Sequence, residues 1–189
     1  MKVSNSINKL CEKYGCDKAP SIGMSYTPYY DKWFKDRKDI DKLLEIGVGS
    51  YECMGRFFKD YIIGASLFVW RDYFTNAHIY GIDINKECDI KEDRMTITIA
   101  DQSNKKHLEK FISEHGENWD IIIDDGSHKT EHQIFSALFF LPYLNEGGIY
   151  VIEDIREPEV IMEALKDYNC EMFRMDLTKP DDCLIKIIK

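Results

Sequence analysis

From residue 42 onward the chain alternates short apolar runs with helically spaced segments, and this alternation fixes the kind of sheet it can build. The runs are Lys42–Val48, His78–Ile84, Met95–Ala100, Trp119–Ile123 and Ile149–Ile152. Helical spacing fills Asn104–His115 and Lys129–Leu144, where Ile134, Ala137, Leu138 and Leu141 recur at i, i+3, i+4 and i+7, as core positions do. Such a succession predicts parallel strands joined by crossover helices. The end of the chain breaks the rhythm. Glu157–Tyr168 reads as a helix, but the strands Cys170–Leu177 and Cys183–Lys189 are separated only by Thr178-Lys-Pro-Asp-Asp182. That gap cannot hold a crossover helix, so the last two strands must pair antiparallel.

At 189 residues the sequence fits one compact domain with a proper core. Residues 1–41 stand apart as an aromatic-rich segment without strand periodicity, carrying Tyr14, Tyr26, Tyr29, Tyr30, Trp33 and Phe34. They are expected to form a helical cap over the sheet domain, 42–189. Tyr26 and Tyr30 are left between two roles, packing the cap and reaching an acceptor. Trp70 and Phe74, at i and i+4, are assigned to the core. The net charge of −9 disfavours a nucleic-acid partner, which is usually met by basic surfaces. The six cysteines form no Cys-x-x-Cys pair and read as reduced thiols. The N-terminus lacks the apolar segment of a secretory signal, and Ile134–Leu144 is too short to span a bilayer. The expectation is a cytoplasmic protein without a membrane partner, its homo-oligomerisation left open.

Two of the apolar runs end in acids. Trp119-Asp-Ile-Ile-Ile-Asp124 leads into Asp125-Gly-Ser-His128, and Gly148-Ile-Tyr-Val-Ile leads into Glu153-Asp154. Side chains at the carboxyl ends of adjacent parallel strands converge on one crevice. Two acid clusters there suggest a hard-cation site, Mg²⁺ or Mn²⁺, with His128 beside it. Asp124 is read as backing the site through hydrogen bonds and is grouped with the cofactor-binding residues. His132 lies one helical turn after His128, but Lys129 stands where a zincin would have Glu.

The first strand runs into Glu45-Ile-Gly47-Val-Gly49-Ser50. A dinucleotide site would want a third small residue where Glu52 stands, and a ribose acid about 20 residues on. Asp83 lies well beyond that spacing. Glu45 suits a cationic ligand better than a pyrophosphate, and S-adenosylmethionine is cationic and carries no phosphate. Asp83 is then expected at the ribose hydroxyls and Asp101 with Gln102 near the adenine. The competing role for Asp101 or Ser103 is an N-cap on the next helix.

Five parallel strands closed by an antiparallel hairpin resemble the Rossmann-like sheet of class I methyltransferases. Gly64-Ala-Ser66-Leu67-Phe-Val-Trp70-Arg71-Asp-Tyr73-Phe74, Ile79-Tyr-Gly-Ile-Asp83, Asp124-Asp-Gly-Ser-His128 and Ile152-Glu-Asp-Ile155 together resemble the macrocin/mycinamicin O-methyltransferase family. Lys13-Tyr-Gly-Cys-Asp-Lys18 and Tyr26-Thr-Pro-Tyr-Tyr30 look like its cap motif, with Cys16 where the family often has Thr. The resemblance implies a magnesium-dependent enzyme that methylates sugar hydroxyls on secondary metabolites. It further implies Asp125, Glu153 and Asp154 as metal ligands, His128 as general base and Ser66 at the methionine end of the cofactor. The acceptor would be a glycosylated small molecule.

Two other readings stand beside it. The first is a nucleic-acid or protein N-methyltransferase; amino-methylating DNA enzymes of similar fold carry Asn/Asp-Pro-Pro-Tyr after the fourth strand, where this acidic chain has Asp-Asp-Gly-Ser-His. A non-catalytic cofactor-binding scaffold would need neither a base nor a metal.

Overall fold

In the computed structural model, residues 6–37, 39–176 and 178–189 are described. The seven strands are β1 (Lys42–Ile46), β2 (His78–Asp83), β3 (Met95–Ile99), β4 (Trp119–Asp124), β5 (Leu144–Ile152), β6 (Asn169–Arg174) and β7 (Cys183–Ile188). They form one sheet in the order β3-β2-β1-β4-β5-β7-β6. Strands β1 to β5 pair in parallel, and β7 pairs antiparallel with both β5 and β6. This is the predicted sheet, hairpin included.

Both faces are covered, as a parallel sheet requires. Leu43, Ile121, Ile123 and Val151 belong to one core, and Leu44, Ile122, Tyr150 and Ile152 to the other. That alternation is the period of two along each strand. The first core is closed by helices α1 (Ile7–Tyr14), α2 (Thr27–Phe34) and α4 (Ala65–Tyr73), with the one-turn α3 (Tyr51–Met54) at the rim. The second is closed by α5 (Lys105–His115), α6 (Thr130–Phe140) and α7 (Pro158–Ala164).

Residues 6–34 carry α1 and α2, which pack on the first core and are called the cap below. Tyr30 packs edge-on to Trp70 at 5.2 Å between ring centroids, and Phe34 meets Phe74 at 5.6 Å. Trp33 and Tyr29 lie against Phe173 of β6, so the cap bridges α4 and the C-terminal hairpin.

Boundaries differ from the sequence reading where the backbone turns. β1 stops at Ile46 because Gly47 takes φ +89°. α6 ends at Phe140, since Pro142 opens a short 3-10 turn. The freed Leu144 then pairs with Trp119, which lengthens β5 upstream, with a register shift between Trp119 and Ile121. α7 ends at Ala164, so β6 begins at Asn169. Leu177, the expected end of that strand, and residues 1–5 of the cap segment lie outside the described residues.

Candidate active site

Four strand ends are tied side by side by three bonds that continue the ladders. Gly47 N donates to Ile82 O, Asp125 N to Ile46 O and Glu153 N to Asp124 O, at 2.8, 2.8 and 2.9 Å. The order of connection reverses between β1 and β4, and ligands bind at such a switch point. A cavity of about 1220 Å³ opens there.

One end of the cavity is lined by Gly47, Gly49, Ser66, Asp83, Asp101 and Gln102. The strand-to-loop turn demands glycine. A Cβ on Gly47 would strike the Asp125 carbonyl, and Gly49 also has positive φ, at +82°. The Asp83 carboxylate accepts from Val48 N at 2.9 Å and Gly49 N at 3.3 Å, which fixes the loop around it. Asp101 accepts from the Ser103 amide and hydroxyl, which hold it below the usual carboxylate range. The N-cap of α5 is Asn104. Gln102 is buried, accepting from Ser127 N at 2.7 Å and donating to Asp124 at 3.0 Å.

Asp124 and Glu45 sit behind the cavity wall. Asp124 is fully buried and accepts from Ser136, Tyr150 and Gln102; burial raises it to about 6 against those bonds. It supports the turn that carries Asp125, as the backing role predicts. Glu45, also fully buried, accepts from Ser66 Oγ at 2.7 Å and Trp70 Nε1 at 3.0 Å. Its cationic neighbour is the chain's own Lys18, at 3.3 Å, and burial lifts the carboxyl to about 7.

At the other end Asp125, His128 and Asp154 each present one donor atom, all within 4.8 Å of one another. His128 Nε2 lies 3.1 Å from Asp125 Oδ1 and 3.7 Å from Asp154 Oδ2. Both His128 (φ 54°) and Asp154 (φ 52°) occupy the left-handed backbone region, an unfavourable conformation for residues other than glycine. Burial opposes charge on His128, but Asp125, Asp154 and Asp124 outweigh it and raise the imidazole to about 9. Asp125 moves the other way: Lys18 and His128 overcome its burial and hold it at about 2. His132 lines the same cavity but is not in this cluster, its Nδ1 lying 2.8 Å from Ser127 Oγ.

Lys18 is the residue that sequence reasoning missed. It follows α1 in the cap, is 1% exposed, and places Nζ 2.5 Å from Asp125 Oδ2 and 2.6 Å from Glu153 Oε2. Burial alone would neutralise the amine, but the three carboxylates around it hold it well above the ordinary lysine range. Glu153 is equally buried, with Tyr30 donating to its second oxygen. Burial and the nearby Asp125 and Asp154 push Glu153 up against the pull of Lys18. The Tyr26 hydroxyl lies 2.5 Å from Asp154 Oδ1. The tyrosines therefore pack the cap with their rings and meet the acids with their hydroxyls.

The donor set fits a divalent cation. Three carboxylates (Glu45, Asp125 and Glu153) gather around the Lys18 ammonium and Asp154 faces His128, so four acids share two cationic side chains. Carboxylate oxygens suit Mg²⁺ or Mn²⁺, whereas zinc prefers nitrogen and sulfur donors.

The sheet order, the glycine loop and the acids at the switch point define a class I methyltransferase fold. Within that class the chain is a relative of the macrocin/mycinamicin-type O-methyltransferases, as the sequence motifs imply. It is 37% identical over 152 residues to demethylmacrocin O-methyltransferase of Streptomyces fradiae, matching 79% of this chain and 36% of that protein. It is 38% identical over 133 residues to mycinamicin VI 2''-O-methyltransferase of Micromonospora griseorubida, matching 69% and 31%. The chain thus spans about a third of the length of these curated relatives. The MycE methyltransferase of the mycinamycin pathway, solved with Mg and SAH, superposes with a TM-score of 0.77 at 25% identity, over 97% of this chain and 54% of that one. No protein-family model matches. Among the described residues no helix is long and apolar enough to cross a membrane.

Proposed function

We propose that this chain is an S-adenosylmethionine-dependent, divalent-cation-dependent O-methyltransferase acting on a hydroxyl of a sugar or glycosylated secondary metabolite. The observation that carries the reading is the convergence of Asp125, His128 and Asp154 at one end of a cavity whose other end is the glycine loop with Asp83. The named activities of the sequence relatives and the Mg and SAH of MycE support it.

Asp83 would hold the ribose hydroxyls, Gly47 and Gly49 admit the cofactor's backbone-side edge, Ser66 face its methionine end, and Asp101 with Gln102 flank the adenine. Asp125 and Asp154 would hold the cation from the cavity wall, with Glu153 adding a third carboxylate from behind them. When bound, the cofactor supplies an electrophilic methyl group and the cation lowers the pKa of an acceptor hydroxyl that otherwise lies near that of water, about 15.7. Without a cation the surrounding carboxylates hold the His128 imidazole protonated, its pKa raised to about 9. With their charge offset by a bound cation, His128 would be freed as the base and would take the hydroxyl proton as the new C–O bond forms and the C–S bond breaks, leaving a methyl ether and S-adenosylhomocysteine. The rest of the acceleration comes from alignment of the two reactants in one cavity.

The test is turnover of glycosylated acceptors with S-adenosylmethionine, read by mass as addition of one methyl group. Activity should vanish with a chelator and return with Mg²⁺ or Mn²⁺. Full activity in chelator would exclude the cation's role, and cofactor binding without turnover of any hydroxylated acceptor would favour a scaffold.

A further inference from the structure

Each carboxylate of the site is held from the cap. Asp125 gives Oδ2 to Lys18 and Asp154 gives Oδ1 to Tyr26, and in both residues the other oxygen faces His128. Glu153 has one oxygen on Lys18 and the other on Tyr30. These donors come from one short stretch. Lys18 O accepts from both Tyr26 N and Thr27 N at 3.2 Å, so the loop that places the ammonium and the start of the helix that places the hydroxyls form one unit. The donors are buried while two of the acids are not: Lys18 and Tyr26 are each 1% exposed, whereas the Asp125 and Asp154 side chains are 23% and 19% exposed.

From this arrangement we infer that Lys18, Tyr26 and Tyr30 are positioning residues of the cation site, so that docking of the cap and binding of a divalent cation are a single coupled event. The inference rests on the cation site proposed above. A carboxylate with one oxygen fixed by a buried donor has lost the rotation that would carry its other oxygen off the ion. Hydrogen-bond partners of this kind typically contribute about 10–100-fold to metal affinity. Coupling is reciprocal, so a cation that orders the acids must also hold the cap donors in place. Asp17, Lys18, Gly23 and Met24 also line the cavity, so the coupled segment borders the space an acceptor would occupy.

The experiment is Mn²⁺ titration by calorimetry, without cofactor or acceptor, on the full chain and on Tyr26→Phe, Tyr30→Phe and Asp125→Asn. Hydrogen exchange of residues 16–30 is followed with and without Mn²⁺. Each Tyr→Phe change keeps the packed ring and removes only the hydroxyl. Lys18 variants are less decisive, because losing the ammonium also strengthens the field on a cation. Tyr26→Phe should weaken Mn²⁺ binding about tenfold or more, with little change in the cation-free melting temperature. In the parent protein Mn²⁺ should slow exchange across 16–30. Wild-type affinity in both Tyr→Phe variants, or exchange unaffected by Mn²⁺ in the parent, overturns the inference while leaving the cation site standing. Equal Mn²⁺ affinity in Asp125→Asn would overturn the site reading itself, and the inference with it.

Discussion

In the proposed mechanism His128 is the proton acceptor and Asp125 a charge on the cation, and substitution should separate the two. Asp125→Asn keeps the shape and removes the charge, so Mg²⁺ activation should fade while cofactor affinity survives; calorimetry with each ligand tells these apart. His128→Ala should keep cation binding and lose turnover by roughly 10²–10⁴-fold, the usual contribution of a general base. The double variant should fall well short of the product of the two losses, because a base has little to do once the hydroxyl is no longer acidified. Gly47→Ala combines a left-handed φ with a collision at the Asp125 carbonyl. Strain of that kind costs on the order of 1–3 kcal/mol, and chemical denaturation should register at least that loss. At this scale the acids and His128 were legible because they end apolar runs, where a strand must deliver them to the crevice. Lys18 was not. A lysine is ordinarily a solvated residue, and only the folded cap shows three carboxylates waiting for it.

Elements were legible where their periodicity is strong and blurred where one backbone torsion decides. Five parallel strands and the hairpin follow from runs and gaps, whereas the end of α6 depends on Pro142 and the end of β1 on Gly47. Inside the cap, helical extents are set by packing against Trp70, Phe74 and Phe173, residues remote in sequence. The edge formed by β2, β3 and α5 carries its own pH sensitivity. His78 Nε2 lies 2.8 Å from Thr96 Oγ1, and His115 Nε2 lies 3.1 Å from Thr98 Oγ1. Burial lowers both imidazoles from the ordinary value, helped at His78 by Arg94. The unfolded chain therefore binds protons more readily, and stability from this edge is lost as pH falls through about 6.5, the ordinary histidine pKa. Glu45, Asp154 and His128 are shifted upward and act in the opposite sense, so the edge is read by difference. Between pH 7.5 and 5.5, about one unit either side of that pKa, the urea midpoint of the variant carrying His78→Gln and His115→Gln should gain on the parent's. An unchanged slope in the double variant would place the sensitivity elsewhere.

For the molecule as a whole, a site with more carboxylates than cations is stabilised by whatever supplies positive charge. At a free Mg²⁺ concentration about 100 times its Kd, linkage adds about 2.7 kcal/mol. For a chain of this length that corresponds to a rise of roughly 5–10 °C in melting temperature, which differential scanning fluorimetry would detect and Asp125→Asn should abolish. The cap that closes this site also touches the far end of the chain. Trp33 and Tyr29 rest on Phe173, and Lys179 Nζ donates to Gly23 O, 156 residues away in sequence. Lys18 and Tyr26, made early, wait for Asp125, Glu153 and Asp154 across separations of 107, 135 and 128 residues. On the ribosome the cap emerges with α4, on which it packs, well before the acids it holds. Its lysine and its tyrosine hydroxyls lack those partners until β4 and β5 have been made. The acids of the proposed cation site are complete only once β5 and Asp154 have been made, so a nascent chain shorter than that has no such site with which to begin turnover.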